Sequence, residues 1–281
     1  MIKVYERATG TYKEVVQYGS GKLEFMYNNA FGRILLRLAI SRLPSVIYGK
    51  IKSSPGSAKK VPGFIEAHGI DMTQYEDREF KSFTDFFTRK YKDGARPIGT
   101  GLISPADSKL LVYPADEDTR INVKGREYFL SEIAGRDMSG YKGGAALVFR
   151  LCIDDGHRYC FPGKGKVLEQ YDIKGKLHTV SPLSSAYKIY KENTRKVSFL
   201  DTEEFGKICY IEVGAILVGK IVDHGKKEFS KGEEKGYFEP GGSTIILIVP
   251  RGIKIDSDIM EQSAKGIETE VRYGERIGSV C

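Results

Sequence analysis

The sequence predicts an α+β protein in which a helical N-terminal region precedes a mostly-β domain of sandwich or barrel-like architecture. Before about residue 95, apolar residues recur at helical spacing. From about Gly101, short β-branched and aromatic runs alternate with Gly, Asp and Pro turns, as in sheet-rich domains. The chain has 281 residues, of which 41% are hydrophobic, enough to bury a substantial core. We therefore divide it into residues 1–95 and 96–281.

The N-terminal region predicts an amphipathic helix. Residues 31–50 are apolar with interspersed cations, and Arg33 and Arg37 are spaced to share one helix face. Two interpretations fit: a helix that packs on the core with solvated arginines, or an interfacial helix whose apolar face enters lipid while its cations meet headgroups. A later helical segment predicts a stripe of aromatic rings facing the core, made of Phe83, Phe86 and Phe87.

The second region predicts a series of short strands. Six runs are rich in the β-branched and aromatic residues that strands favour. They are LLVYPAD, INVKGREYFL, AALVFRLCI, KVLEQYDI, KICYIEVGAILVGKIV and STIILIVP. The sequence contains neither a P-loop nor a Gly-rich dinucleotide fingerprint, which argues against those nucleotide-binding folds.

Charge and cysteine content indicate the kind of partner and the compartment. The net charge of +7 favours an anionic partner, either nucleic acid or an anionic lipid surface. An RNP-like aromatic motif and zinc-finger spacing are both missing, which argues against nucleic acid. The four cysteines fit neither a zinc site nor a disulfide framework, so we expect reduced, mostly buried thiols in a cytoplasmic protein.

Membrane contact, if it occurs, is expected to be peripheral. The N-terminus carries charges where a secretion signal would have an apolar core. No uncharged apolar run approaches the ~18 residues that a spanning helix needs. We therefore expect a protein that lies on a membrane surface.

Three segments carry candidate chemistry. Gly241, Gly242 and Ser243 precede an apolar run and predict a sterically open turn at a strand entrance, although an ordinary turn has the same pattern. Asp107, after Ser-Pro-Ala, is either a turn former or an acid that orients a histidine. His157 is crowded by acids and an arginine that can tune its pKa.

These residues supply a nucleophile, a base and an orienting acid in the order Asp107, His157, Ser243. An ordinary serine hydrolase could use such a set, but its Gly-x-Ser-x-Gly elbow is missing. A non-catalytic lipid-binding β domain, with Gly-Gly-Ser-Thr as a mere turn, is the alternative of a different class.

Taken in order, several segments resemble motifs of the phosphatidylserine decarboxylase family, and the resemblance covers almost the whole chain. The segments are NNAFGRILLRLAISRLPSVIYGKI, FKSFTDFFTRKYKDGARPI, LISPADS, DDGHRYCFP, KLHTVSP, EVGAILVGKI and KGEEKGYFEPGGSTIILIVP. The last ends in a Gly-Ser-Thr sequence similar to the processing site of the family.

The resemblance implies a zymogen that cuts itself between Gly242 and Ser243. A large β chain (1–242) and a small α chain (243–281) would stay associated. Ser243 would be the nucleophile and then become a covalent pyruvoyl cofactor, with Asp107 as the acid of the processing triad and His157 as its base. That group would form a Schiff base with phosphatidylserine and release CO2 and phosphatidylethanolamine, a step of phospholipid biosynthesis that needs neither a metal nor pyridoxal phosphate.

Three positions depart from the family pattern: Cys160, Gly156 and Ser108, the last of which stands where the family often has Gly. Cys160 stands where the family has a second histidine, and a free thiol is a poor general base. His157 must therefore serve both cleavage and decarboxylation, or another group must share the work; His178 is the first candidate and Asp155 the second. Gly156 stands where the family often has Tyr.

The resemblance also implies how the protein meets its substrate. Phosphatidylserine lies in an anionic membrane, so we expect a peripheral enzyme at the cytoplasmic face, with residues 1–95 as its membrane-associating region and no nucleic-acid partner. A homodimer is compatible with this expectation. Decarboxylation of another serine lipid, or hydrolysis by Asp107, His157 and Ser243, remain alternatives.

Overall fold

The structure is a computed structural model that describes residues 2–15, 29, 42–123, 126–176, 189–214, 220–241 and 243–281. Strands predominate over helices in these ranges, so the predicted α+β class is confirmed. Four residues of the sequence predictions lie outside the described ranges: Arg33, Arg37, His178 and Gly242.

The elements follow one another in chain order as two groups. Up to Phe87 they are β1 (Ile2–Glu6), β2 (Thr11–Val15), α1 (Arg42–Lys52), α2 (Val61–His68) and α3 (Phe83–Phe87). From Leu102 they are β3 (Leu102–Ile103), β4 (Ser108–Pro114), β5 (Arg120–Val123), β6 (Arg126–Phe129), α4 (Leu130–Ala134), β7 (Ala145–Leu151), β8 (Arg158–Cys160), β9 (Gly165–Ile173), α5 (Ile189–Glu192), β10 (Arg195–Thr202), β11 (Gly206–Gly214), β12 (Ile221–Asp223), β13 (Glu228–Phe229), β14 (Glu234–Phe238), β15 (Ser243–Val249), β16 (Ile253–Ile255), α6 (Ser257–Ala264), β17 (Glu268–Val271) and β18 (Arg276–Val280).

One sheet of ten strands organises the fold, in the order β13-β9-β10-β11-β15-β7-β4-β17-β1-β2. Its neighbours are antiparallel except for β1 and β17, which run parallel. Strand β15 lies inside the sheet, hydrogen-bonded to β11 on one side and β7 on the other. The strand that begins at Ser243 is therefore held along both edges.

Both faces of this sheet are covered, which explains why β15 is apolar at almost every position. Ile245 and Leu247 belong to one core cluster, and Ile246 and Ile248 belong to another on the opposite face. The three-stranded sheet β12-β14-β8 contributes to the first cluster. The β5–β6 hairpin and α4 contribute to the second. A strand buried on both faces has no solvent side for polar residues.

The N-terminal residues differ from the helical region that the sequence predicted. β1 and β2 form a hairpin that joins the edge of the large sheet. Val4 is fully buried, while most neighbouring positions are half-buried or exposed. A short, charged edge hairpin has a weak apolar pattern, since only one residue faces the core. For this reason it was missed from the sequence.

The predicted aromatic stripe is confirmed. Phe83, Phe86 and Phe87 of α3 are buried and pack against Phe64 of α2. The Phe64 and Phe83 ring centroids lie 5.1 Å apart at an edge-to-face angle of 86°. Ser82 begins α3, because its hydroxyl accepts a hydrogen bond from the Asp85 amide at 3.1 Å. Within the described ranges, no helix is long and apolar enough to cross a membrane.

Candidate active site

Ser243, the first residue of β15, is buried between two neighbouring strands of the large sheet. It is 0% exposed and pairs with Gly214 of β11 and Leu151 of β7. Its Oγ atom is buried and has no hydrogen-bond partner in the part of the chain that the structure describes. Two residues earlier, Gly241 has a φ of +145°, a conformation that favours glycine. The chain thus enters β15 through a segment that needs glycine and presents a buried hydroxyl.

His157 lies in the turn between β7 and β8 and is also 0% exposed. Its Nδ1 is 3.0 Å from the carbonyl oxygen of Asp155, so Nδ1 carries the hydrogen and donates it. Nε2 is then the acceptor nitrogen, and it has no partner among the described residues. Burial lowers the pKa of His157 to about 3, so the ring is neutral at pH 7. A neutral imidazole with a free Nε2 is the form that acts as a base.

Strand pairing and one backbone hydrogen bond connect the segments that carry Ser243 and His157. Leu151, opposite Ser243, ends β7, and the chain then turns to reach His157. The carbonyl of His157 accepts a hydrogen bond of 3.0 Å from the amide of Phe238, the last residue of β14. Phe238 is followed directly by the segment that leads into Ser243. We call Ser243 Oγ and His157 Nε2 the open pair.

Three charged residues hold the turn that carries His157. Lys109 Nζ donates to Asp155 Oδ1 at 3.1 Å, and the amide of Cys152 donates to Asp155 Oδ2 at 2.7 Å. Arg89, just beyond the end of α3, reaches the same turn and donates to the carbonyl of Asp154 at 2.8 Å. Lys109 and Arg89 are both buried. They fix the carbonyl that sets the His157 tautomer.

In the structure, the carboxylate of Asp107 is bonded to groups other than His157. Arg96 donates to both of its carboxylate oxygens, at 2.9 and 2.6 Å, and the amide of Tyr273 donates to Oδ1 at 2.8 Å. Because His157 Nδ1 is bound to Asp155, the two residues of the predicted triad are not joined by a hydrogen bond. We call Asp107, Arg96 and the Tyr273 amide the clamp.

Tyr91 lies between the clamp and the His157 turn. The Arg96 guanidinium stacks over its ring at 4.4 Å. A Cβ atom at Gly156 would lie 1.9 Å from the Tyr91 hydroxyl oxygen, so only glycine leaves room for this ring. Burial, and then the Asp107 charge, raise the pKa of the Tyr91 hydroxyl well above its usual value. Asp107 therefore contacts the turn through Tyr91 rather than directly.

Comparison with known proteins identifies the family of the chain. The model of the phosphatidylserine decarboxylase family matches residues 83–279. The chain belongs to this family. It is 50% identical over 270 residues to phosphatidylserine decarboxylase proenzyme 2 of Clostridium acetobutylicum, with 93% of each chain covered. It is 40% identical over 293 residues to the phosphatidylserine decarboxylase proenzyme of Clostridium beijerinckii, with 99% of each covered.

A more distant genus supports the same assignment. The chain is 38% identical over 292 residues to the phosphatidylserine decarboxylase proenzyme of Fusobacterium nucleatum, covering 99% of this chain and 97% of that one. The resemblance seen in the sequence motifs is therefore confirmed. Phosphatidylserine decarboxylases are carboxy-lyases, so the predicted enzyme class is confirmed with the family.

The departures from the pattern of the phosphatidylserine decarboxylase family can now be placed. Cys160 is fully buried, its sulfur lies 3.8 Å from the Ser104 carbonyl oxygen, and burial raises the pKa of the thiol. It therefore stays protonated and cannot act as a base. Both carboxylate oxygens of Asp155 are engaged by Lys109 and Cys152, which leaves it a positioning role.

Sequence reasoning missed the residues that support the candidate site. The sequence did not single out Lys109, Arg89 or Arg96, because their partners are distant or backbone groups. A fully buried ion pair of Glu212 and Lys235 on the same side of the sheet was also missed. Among the described residues, no three His, Cys, Asp or Glu side chains are grouped so as to hold a metal ion.

Proposed function

We propose that the chain is a self-cleaving, pyruvoyl-dependent decarboxylase that converts phosphatidylserine into phosphatidylethanolamine and CO2. The open pair is the observation that carries this proposal. Buried polar atoms are nearly always hydrogen-bonded, so a donor hydroxyl and an acceptor nitrogen left open in two connected segments indicate chemistry. The named activity of the relatives supports the same reaction.

Cleavage begins at the open pair. His157 Nε2 takes the Oγ proton of Ser243, and Oγ attacks the carbonyl carbon of Gly242. The bond between that carbon and the Ser243 nitrogen breaks, the nitrogen takes the proton back from His157, and an ester remains. Loss of the Ser243 Cα proton then breaks the Cβ–Oγ bond and releases the carboxylate of the upstream chain. Water finally replaces the nitrogen, which leaves as ammonia, and a keto-acyl end remains at position 243.

The surroundings of position 243 fit such a group. A pyruvoyl group at this position would supply a ketone for condensation with an amine, and the resulting conjugated imine would be the sink for the electron pair that CO2 leaves behind. Leu151, Phe149 and Ile245 shield the position from water, and Gly214 adds no side chain opposite it. We propose that His157 transfers protons in decarboxylation as well as in self-cleavage. His178 is the candidate for a second group that takes part in this proton transfer.

The two chains would stay together because their strands interleave. Residues 243–281 contribute β15, which pairs with β11 and β7 of the larger chain. They also contribute β17, which lies between β1 and β4. Separating the chains would break these ladders and expose both core clusters, which is strongly unfavourable. We therefore propose one fold with a cut backbone.

The substrate explains the N-terminal region. Ile47 and Ile51, one turn apart on α1, are each 58% exposed, and Lys50 and Lys52 lie on the same helix. We propose that residues 1–95 rest on the anionic membrane surface that contains phosphatidylserine, with apolar side chains entering the lipid. The free thiols, three of them buried, support a reducing compartment and hence the cytoplasmic face.

Intact-mass measurement of the purified protein tests the proposal. We expect two chains, the smaller one starting at position 243 with a blocked, ketone-bearing end. The same sample should release CO2 from phosphatidylserine in detergent micelles. A sample that decarboxylates phosphatidylserine as one unbroken chain would overturn the mechanism. A cleaved sample without this release would overturn the substrate.

A further inference from the structure

Three buried charges lie beside the candidate site. Lys235 Nζ of β14 forms ion pairs with the carboxylates of Glu212 on β11 and Asp223 on β12. Their side chains are 1%, 0% and 8% exposed, respectively. Two carboxylates share one ammonium, so the group has an excess of negative charge when all three are ionised. Buried charge of this kind is costly unless it is paired.

The two carboxylates differ in how fully they are bonded. Asp223 Oδ1 accepts the amide of Gly225 at 2.7 Å, and Oδ2 accepts Gln170 Nε2 at 3.0 Å as well as Lys235. Glu212 Oε1 accepts Lys235, but Oε2 is buried without a hydrogen-bond partner within the described ranges. Asp223 thus has structural partners for both oxygens. Glu212 keeps one oxygen available.

The strand register places Glu212 close to Ser243. Gly214 lies opposite Ser243, and Glu212 lies opposite Ile245. Directly opposed residues point to the same face, so Glu212 and Ser243 are diagonal neighbours on one face, with Cβ atoms about 7–8 Å apart or less. That separation is within reach of a long side chain. Both residues are 0% exposed, so each is shielded from solvent.

We propose that Glu212 receives the ammonium group of the incoming amino headgroup and takes its proton. This inference rests on the proposed function and names a residue that the processing triad does not include. A primary ammonium supplies the positive charge that the cluster lacks. It also supplies the hydrogen-bond donor that Oε2 lacks among the described residues.

The proton transfer balances without a further reactant. An N–H bond of the ammonium breaks, an O–H bond forms at Oε2, and the nitrogen keeps the electron pair that it needs to attack a ketone. The carboxylate is regenerated when the proton passes to the oxygen lost as water on condensation. Burial, opposed by Lys235, raises the pKa of Glu212 to about 7, so the carboxyl can take and return a proton near neutral pH.

Covalent capture of an amine tests this role without turnover. Purified, self-cleaved protein is mixed with phosphatidylethanolamine in detergent micelles and cyanoborohydride, and the mass gain of the small chain is followed at pH 7. Phosphatidylethanolamine has the amine but no carboxylate to lose. We expect Glu212→Gln to cleave normally but to capture the amine about 100-fold more slowly. Raising the pH toward the pKa of the free amine should restore part of the rate, since less proton removal is then needed.

Asp223→Asn is the matched control, because Asp223 contacts the same Lys235 but has both oxygens bonded. It should capture the amine at nearly the parent rate. The double variant Glu212→Leu, Lys235→Met replaces the ion pair by apolar groups that a core accepts, and it should be as slow as Glu212→Gln. Parent-like capture by either Glu212 variant would overturn the inference.

Two other outcomes separate this inference from the proposed function. A folded Glu212→Gln chain that stays uncleaved would also overturn the inference, because Glu212 would then act in cleavage. If the parent chain itself is found unbroken, the proposed function fails first. That result appears before any amine is added.

Discussion

The clamp around Asp107 and the open pair differ in how completely their polar atoms are hydrogen-bonded, although the family resemblance presents Asp107, His157 and Ser243 as one triad. In the clamp, both carboxylate oxygens of Asp107 are bonded, by Arg96 and by the Tyr273 amide. In the open pair, by contrast, Ser243 Oγ and His157 Nε2 have no hydrogen-bond partner within the described chain. A fully bonded group is held in place, whereas an open one is free to react. Hydrogen-bond completeness therefore separates the clamp from the atoms that we propose to react.

The largest effect should come from removing the hydroxyl of the open pair. Ser243→Ala should give one unbroken, folded chain, because no nucleophile remains at the cleavage site. Thr244→Val is the matched control: Thr244 Oγ1 is also buried and unbonded among the described residues, but it points to the other face of β15. Intact mass reads both variants. If Thr244→Val also stayed uncleaved, the effect of Ser243→Ala could not be assigned to loss of the nucleophile alone.

The base of the open pair should matter next. His157→Gln should slow self-cleavage by about 10²- to 10⁴-fold, the usual contribution of a positioned base. The half-time is measured after a short pulse of cell-free synthesis. His224→Gln serves as the control. The Nε2 atom of His224 is not open, because it is hydrogen-bonded to Glu234 of β14 at 2.7 Å. Equal rates for His157→Gln and the parent would remove His157 from the mechanism.

The clamp should have a smaller, indirect effect. Asp107→Asn should slow cleavage by about 10- to 100-fold through a shift of the His157 turn. It should also lower the free energy of unfolding by about 3–5 kcal/mol, because it leaves the Arg96 guanidinium buried without a counter-charge. Arg96→Gln should match it in both measurements. A severe cleavage defect in Asp107→Asn alone would instead mean that Asp107 contacts His157 during the reaction.

The buried, neutral state of His157 predicts how stability depends on pH. In the unfolded chain the imidazole binds a proton near pH 6.5, but in the fold it does so only near pH 3. Between these values only the unfolded chain is protonated, so His157 destabilises the fold by about 1.4 kcal/mol for each unit that the pH falls. Urea unfolding of Ser243→Ala should show a steeper loss below pH 6.5 than Ser243→Ala, His157→Gln. Parallel curves would contradict the buried neutral ring.

The smallest effect is an expected lack of change. Since His157 stays neutral above about pH 3, the cleavage rate should vary by less than about twofold between pH 5 and pH 8. Newly made chain is shifted to each pH and its half-time is measured. A rate that falls tenfold from pH 7 to pH 5.5 would mean that the ring titrates like an exposed histidine.

Local patterns in the sequence were sufficient for several of the elements. The apolar run after Ser243 predicted a buried strand, and spacing predicted the aromatic stripe of α3, because both depend on neighbours a few residues away. Family motifs then pointed to Ser243, His157 and Asp107, and the family they indicated is confirmed. The roles of these residues remain proposals, as does the division at residue 95.

Only the tertiary structure decided which of these groups are bonded and which are open. Tyr273 is 166 residues from Asp107, Lys109 is 46 from Asp155, and Lys235 is 23 from Glu212. Such contacts arise from strand order and register in the sheet, which the local pattern does not encode. The position of the β1–β2 hairpin in the sheet likewise depends on β17, at the far end of the chain. The sequence thus determined the reactive residue types, and the fold determined their surroundings.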